Sequence, residues 1–230
     1  GSMIFHGEKA IDVARGVDPW FSQVNIVGRN PDIGIGTEDV WDGGGEYTQF
    51  PAAALLFASS SSASDTTKIL TIVGLDAAGN PQTATVTPAG QTKTALATLT
   101  WTAIFSVTSS AALVGDGYVY EDDTVTAGVP QTAAKIKAKI LATATKTFMA
   151  MYKIPTGYDG FLVEYSGSHA GIQLWTIPAL GGALDWLENL NGYRQVPRVL
   201  VAGTFVKLRY TSIVAAQDVR ASATIILKKN

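Results

Sequence analysis

The chain has 230 residues, of which 47% are hydrophobic and 16% charged, so it can bury a core and is not a disordered polymer. It contains no cysteine, which excludes a disulfide framework, a thiol nucleophile and a Cys-ligated zinc site. Its formal net charge of -2 argues against general affinity for nucleic acid or an anionic membrane. We also expect a soluble product without an export signal, because Met3 is not followed by a basic start and a long apolar run.

Residues 3–36 predict an extended N-terminal arm. Their apolar residues are scattered and give no periodic face from which a separate core could form. Residues 24–27 could pair as a short strand within the arm. An arm of this kind is normally covered by a neighbouring subunit or by its parent domain.

Residues 37–128 predict a β-rich domain, and the clearest strand covers residues 95–107. Side chains alternate there, with Trp101 and Phe105 on one face and Leu96 and Ile104 on the other. Thirteen extended residues would span about 43 Å, which is longer than most strands, so we expect a bulge or bend. Further strands are predicted at 69–75 and 83–87, with a turn between them and a serine-rich loop at 59–64.

Residues 129–230 predict a C-terminal β-sandwich of jelly-roll type. In residues 131–147, Ile136, Ala138 and Ile140 alternate with lysines, which favours a strand although alanine and lysine also suit a helix. Strands are also predicted at 161–165, 172–177, 204–213 and 219–228, and one short helix at 183–190. Strands at this spacing, separated by turns, indicate an all-β fold.

No catalytic or metal-binding motif emerges from the residue pattern. His6 and His169 are far apart, and neither has a second ligand at metal-binding spacing. The chain also lacks a nucleophile elbow, a P-loop and a dinucleotide-binding glycine pattern. We therefore expect neither enzyme activity nor a cofactor nor a metal.

Carboxylates form two groups, for which a solvated acidic loop is the favoured interpretation. A cation site and a glycosidase pair remain open as alternatives, with Asp42 and Asp122 as the residues to test for hydrolysis. The first group surrounds Trp41 and a glycine triplet. The members of the two groups are Glu38, Asp39, Asp42 and Glu46, and then Asp116, Glu121, Asp122 and Asp123.

Charge is unevenly distributed along the chain. Residues 192–230 contain seven basic residues and one acid, a net of +6, whereas residues 1–191 contain 10 basic and 18 acidic residues, a net of -8. The charges could simply face water, or the two regions could dock on each other in an assembly. Three aromatic residues, Trp175, Trp186 and Tyr193, flank a glycine-rich connection, where they could pack in the core or cover the apolar face of a sugar.

Several short motifs carry a family resemblance. Gly28-Arg-Asn-Pro-Asp32, Glu38-Asp-Val-Trp-Asp-Gly-Gly-Gly45, Ile72-Val-Gly-Leu-Asp76 and Tyr152-Lys-Ile-Pro-Thr-Gly157 resemble elements of a group of tailed-phage virion structural proteins. The likeness runs from about residue 28 to the end of the chain. One departure is Ser64-Asp-Thr-Thr-Lys68, where many relatives carry a Gly-Thr-Gly element.

The resemblance implies a component of the virion without catalytic residues. The first hypothesis is a capsid decoration or cement protein, a homotrimer that bridges subunits of the major capsid protein. Its assembly contacts would then include Trp41, Tyr47, Phe50, Arg194 and Arg198. The second hypothesis is a head-fibre, tail-fibre or receptor-binding component that recognises host glycans through Trp175, Trp186 and Tyr193.

Overall fold

The structure is a computed structural model that describes residues 12–13, 15–178, 185–188 and 192–230, with the backbone alone for residues 185–188 and 192–198. Nearly all of its regular structure is β-strand, apart from a 3-10 turn at Ala133–Lys135. The strands are β1 Phe21–Ile33, β2 Gly36–Asp39, β3 Ala54–Ser60, β4 Leu70–Asp76, β5 Pro81–Val86, β6 Thr94–Ser109, β7 Gly117–Glu121, β8 Val125–Thr126, β9 Val129–Pro130, β10 Ile136–Ile140, β11 Met151–Lys153, β12 Tyr158–Gly167, β13 Ile172–Ile177, β14 Asp185–Glu188, β15 Gly192–Leu200, β16 Phe205–Ser212 and β17 Gln217–Lys229.

The described residues form four antiparallel sheets, of which three make up the layers of the molecule and the fourth is the two-stranded β8-β9. The outer sheet has the order β1-β17-β12-β15, and the middle sheet has the order β11-β16-β13-β14 with β2 added beside β16. The third sheet, β10-β7-β3-β6-β4-β5, curls into a half-barrel. The predicted all-β sandwich class is therefore confirmed.

In the middle sheet, strand β16 is buried on both faces over residues 205–209. Val206 and Leu208 enter the core shared with the outer sheet, whereas Phe205 enters the core of the half-barrel. A strand covered on both sides needs an almost continuous apolar or paired sequence. Lys207 and Arg209, which share the face of Phe205, are buried and must therefore be neutralised inside the protein.

Strand β6 confirms the expected bulges. Its register shifts opposite β3 and twice opposite β4. Each extra residue moves the following side chains to the other face. As a result Leu96, Trp101 and Ile104 are all fully buried, although strict alternation would place Trp101 opposite the other two.

The part of the predicted arm that the structure describes is an integral strand. Residues 21–33 form β1, which pairs with β17 of the same chain from Phe21 opposite Lys228 to Ile33 opposite Gln217. Its residues Ile26 and Ile33 contribute to the sandwich core. Residues 3–11 lie outside the described part of the chain.

Three local predictions need correction. Residues 185–188 of the predicted helix form strand β14, paired with β13. The predicted strand over 131–147 is confined to β10, because a 3-10 turn precedes it and turns follow it. Ser59 and Ser60 are fully buried residues at the end of β3 and do not belong to a loop.

Among the described residues, no helix has the length and apolarity that crossing a membrane requires.

Candidate functional site

The acidic motif around the glycine triplet, residues 38–46, connects the sheets to one another. At its start, the Glu38 carboxylate accepts hydrogen bonds from the Gly34 and Gly45 amides, both at 2.8 Å, and from Asn30 Nδ2 at 2.9 Å. Burial raises the pKa of Glu38, but these three bonds outweigh it, and the pKa lies below its ordinary value. Glu38 thereby ties the end of β1 to the glycine turn.

Asp39 holds a buried cluster of charges. Its Oδ2 accepts hydrogen bonds from the Tyr47 amide at 2.6 Å and from Lys207 Nζ at 2.9 Å. Its Oδ1 forms an ion pair with Arg209 Nε at 2.9 Å. The cluster therefore contains two cations and one anion, and among the described side chains the nearest further anion is Glu46, at 3.5 Å from Lys207 and 3.4 Å from Arg209.

Arg209 also contacts the aromatic residue of β13. The centre of its guanidinium lies 4.5 Å from the centroid of the Trp175 ring, which is a cation–π arrangement. The indole nitrogen of Trp175 donates to Gln173 Oε1 at 3.3 Å. This face of Trp175 is thus occupied by a residue of its own chain.

The glycine triplet is required by the packing of Trp41. A Cβ on Gly43 would lie 2.2 Å from the Trp41 ring, and Gly44 and Gly45 have φ of +69° and +64°. These conformations suit glycine, because a side chain strains the left-handed region. The turn presses Trp41 edge-on against Tyr47, whose ring stacks on Phe205 at 5.9 Å.

Asp42 connects the turn to the segment before β11. Its amide donates to the Phe148 carbonyl at 2.9 Å, and its Oδ2 accepts from the Phe148 amide at 2.6 Å. Its other oxygen, Oδ1, is buried and has no hydrogen-bond partner within the described part of the chain. Burial raises the pKa of Asp42 to about 6, and the bond from Phe148 and the charge of Arg29 offset only part of the rise.

The structure places the proposed assembly residues differently from the sequence hypothesis. Trp41 and Tyr47 are buried in the half-barrel core of their own chain, so neither ring forms part of the surface. Both were expected at subunit contacts because they belong to the segment that resembles virion proteins. Phe50 is half-buried and packs against the same core. Arg194 and Arg198 belong to β15, and their side chains lie outside the described part of the structure.

Lys137 is a buried cation that the alternation pattern placed on the solvent face. Its Nζ pairs with Glu121 at 2.8 Å and donates to the carbonyls of Thr48 at 3.0 Å and Ala134 at 2.9 Å. Burial lowers its pKa, although Glu121 opposes the change. Its ammonium also lies over the Phe50 ring, so Lys137 fastens the segment after Tyr47 to β10.

The second acidic group is a set of separate ion pairs. Each carboxylate has its own lysine, and no group of three potential metal ligands exists among the described residues. Asp122 pairs with a lysine and Asp42 is buried, so neither stands beside a second unpaired carboxylate of the described residues, as a glycosidase pair requires. The pairs are Asp116–Lys139, Glu121–Lys137, Asp122–Lys93 and Asp123–Lys135.

Asp65 is a buried carboxylate that the sequence argument passed over. It accepts hydrogen bonds from Ser60 Oγ at 2.6 Å, Lys68 Nζ at 2.7 Å and the amides of Val114 and Gly115 at 3.0 Å. Burial raises its pKa, but these bonds outweigh it and hold the pKa far below the ordinary value. The clue was a single acid within a serine-rich run, since such a carboxylate organises the surrounding amides.

Two of the three predicted sugar-binding residues are neighbours. Trp175 of β13 lies directly opposite Trp186 of β14, whereas Tyr193 lies in β15 of the outer sheet, opposite Glu164. The side chains of Trp186 and Tyr193 are outside the described part of the structure.

His169 lies in the turn after β12, where its Nδ1 is 2.8 Å from Ser168 Oγ, and His6 is also outside the described residues.

No protein-family model matches this chain, and no curated protein matches its sequence.

Proposed function

We propose that the chain is a tailed-phage virion structural protein, a homotrimeric capsid decoration protein that bridges capsid subunits on the outside of the head. One observation carries the proposal, an exposed apolar tip at the end of the middle sheet. Its side chains are Ile35, Ile213 and Val214, which are 75%, 89% and 58% exposed. Exposed apolar groups of this size, gathered in one place, are typical of a protein contact surface.

Strand pairing brings the tip together. Gly36 of β2 lies opposite Ser212 of β16, and the next residues along the two strands are Ile35 and Ile213. The hairpin from β16 to β17 continues with exposed alanines, of which Ala216 has φ of 61°. The chain therefore maintains a strained turn that presents apolar side chains to solvent, where a partner's surface would cover them.

The motif that resembles virion proteins also supports a structural role. Glu38, Asp39 and Asp42 are each bound by amides or cations of the same chain, and Trp41 lies in the core. These residues hold the sheets together. The motif that resembles virion proteins therefore consists of residues that stabilise the fold, rather than of residues arranged for a reaction. A rigid scaffold with apolar contact surfaces suits a protein that reinforces a shell.

Binding to heads tests the proposal. We expect the purified chain to cosediment with phage heads that lack it, and Ile213→Asp to weaken this binding at least about tenfold, because the charge would be buried at the contact. Val199→Asp is the matched control, since Val199 is 54% exposed on β15 of the outer sheet. Absence of cosedimentation by the parent chain would refute the proposal.

Glycan recognition is a second candidate function, favoured by the position of Trp175 directly opposite Trp186. Two rings on neighbouring strands can form a platform for a sugar face. A glycan array would be compared for the parent chain and the Trp186→Ala variant. A signal that the variant loses would support this function, and an array without signal for the parent chain would eliminate it.

A further inference from the structure

An open cleft of about 430 Å³ separates the outer sheet from the half-barrel. One wall is the stretch Val24, Asn25, Ile26 and Val27 of β1. The opposite wall includes Phe105 of β6 and the segment Lys146–Met149, and Tyr152 of β11 lies between them.

Strand β1 presents its free edge to this cleft. It is the terminal strand of its sheet, and among the described residues only β17 pairs with it. Four consecutive residues line the cleft, including buried Ile26 and exposed Val27, whose side chains point to opposite faces. The cleft is therefore bordered by the strand edge itself, where backbone N–H and C=O groups remain available to another strand.

The far wall suits the side chains of an added strand. The rings of Phe105 and Tyr152 stack with centroids 4.2 Å apart, and Phe148 stands beside them in the lining. Lys146 is the one charged residue in the described lining, with its Nζ 4.8 Å from the centre of the Phe148 ring. No carboxylate of the described chain pairs with Lys146. A complementary occupant would therefore be an extended segment, with apolar side chains against the rings and one acidic residue near Lys146.

We infer that the occupant is residues 3–11 of a second copy of this chain, added as a strand along β1. This segment begins with the apolar residues Met3, Ile4 and Phe5 and includes one acid, Glu8. Nine extended residues can span about 30 Å. The inference rests on the self-assembly proposed above and adds to it the groove that receives the neighbouring chain.

The position of Val13 favours a second copy over the same chain. Val13 is buried against Phe21 and Ile226, with Phe161 and Val163 packed around them. The latter two lie on β12, which is separated from β1 by β17. Val13 therefore packs on the face of the outer sheet that carries Phe21 and Ile226, whereas Ile26 of the cleft wall faces the opposite side, toward the sandwich core.

Disulfide trapping tests this inference directly, because the parent chain has no cysteine. Full-length Phe5→Cys and Val27→Cys chains are mixed under mild oxidation, and we expect a mixed dimer linked through residues 5 and 27. Val199→Cys, which is similarly exposed on β15, replaces Val27→Cys in the control. A Phe5→Cys/Val27→Cys double variant that closes only within one chain, or a yield no higher than that of the control, would overturn the inference.

Charge reversal provides an independent measurement on the full chain. We expect Lys146→Glu and Glu8→Lys each to weaken self-association about tenfold by analytical ultracentrifugation, and the combination to restore it. Lys229→Glu is the control, an exposed lysine at the end of β17. An oligomer that is unaffected by these changes and is not cross-linked at Val27 would refute the binding of residues 3–11 in the cleft, but not the proposed self-assembly. A monomer at all concentrations would refute both the groove and the proposed self-assembly.

Discussion

The carboxylate of Asp39 lies 2.9 Å from the Nζ of Lys207, and both side chains are almost completely buried. The two residues belong to different strands of the middle sheet, β2 and β16, and Arg209 completes the cluster. Removing charges from water is costly, so such a cluster persists only if every member is paired. The middle sheet therefore depends on this charge cluster as well as on its apolar contacts.

Replacing the anion of this cluster should destabilise the protein. In Asp39→Asn, the one described carboxylate left to Lys207 and Arg209 would be Glu46, which is 66% exposed and more distant. We expect the free energy of unfolding to fall by about 3 kcal/mol, measured by urea denaturation. Glu46→Gln is the control and should cost less than about 1 kcal/mol, because the Glu46 carboxylate itself is exposed and its contacts with the two cations are longer. Equal losses for both variants would contradict this description of the cluster.

Gly28 should tolerate no side chain. A Cβ at this position would lie 2.1 Å from the Val40 carbonyl oxygen and 2.4 Å from the Ala150 amide nitrogen, both backbone atoms. We expect Gly28→Ala to separate β1 from the middle sheet and to lower the melting temperature strongly, with a loss of at least about 3 kcal/mol. In Gly34→Ala the nearest atom is Glu38 Oε1 at 3.1 Å, a side-chain atom that needs to shift by only a few tenths of an ångström. A Gly28→Ala variant as stable as Gly34→Ala would refute the close approach.

Asp42 should make stability depend on pH in an unusual direction. Its pKa rises on folding from 3.8 to about 6, so the folded state binds this proton more tightly. Its contribution to stability is therefore full below pH 3.8 and is lost as the pH rises through about 6. Between these limits, the unfolding free energy of the parent chain relative to Asp42→Asn should fall by on the order of 2–3 kcal/mol.

Urea denaturation of both proteins from about pH 4 to about pH 7.5 measures this effect. Glu38 and Asp65 titrate in both proteins with lowered pKa values, so their opposite contribution cancels in the difference. Parallel stability profiles for the two proteins would show that Asp42 does not titrate in this range.

Lys137 should contribute as much to the free energy of unfolding as a buried apolar side chain. Lys137→Met would leave Glu121 without its cation and the Thr48 and Ala134 carbonyls without their donor. We expect a loss of about 2–4 kcal/mol in chemical denaturation. Lys93→Met removes an exposed pair with Asp122 and should cost less than about 1 kcal/mol. Similar values for the two variants would contradict the burial of Lys137.

Side-chain alternation predicted the strands well but not their buried faces. The strand over 95–107 and the all-β class follow from period-two patterns, which report directly on extended backbone. The bulges of β6 and the two-sided burial of β16 and β10 depend on neighbouring sheets that the local pattern does not contain. For the same reason the alternation of lysines with apolar residues over 136–140 does not reveal that Lys137 is buried, since the strand passes beneath the segment that contains Thr48 and Phe50.

The sequence predicted where the candidate site lies along the chain, but not that its side chains are buried and paired. The sequence drew attention to Glu38, Asp39, Trp41 and Asp42, but the acids suggested a solvated loop and the tryptophan a subunit contact. Two of their partners, Lys207 of Asp39 and Phe148 of Asp42, are more than 100 residues away along the chain, so spacing alone could not identify them. Contacts over such separations depend on the order of the sheets.

A reconstruction of the phage particle would test the central proposal most directly. We expect density for this three-layered sandwich on the outer surface of the head, arranged as trimers, with the tip of Ile35 and Ile213 against the capsid subunits. Density confined to the tail or its fibres, or a head surface without it, would contradict the proposal.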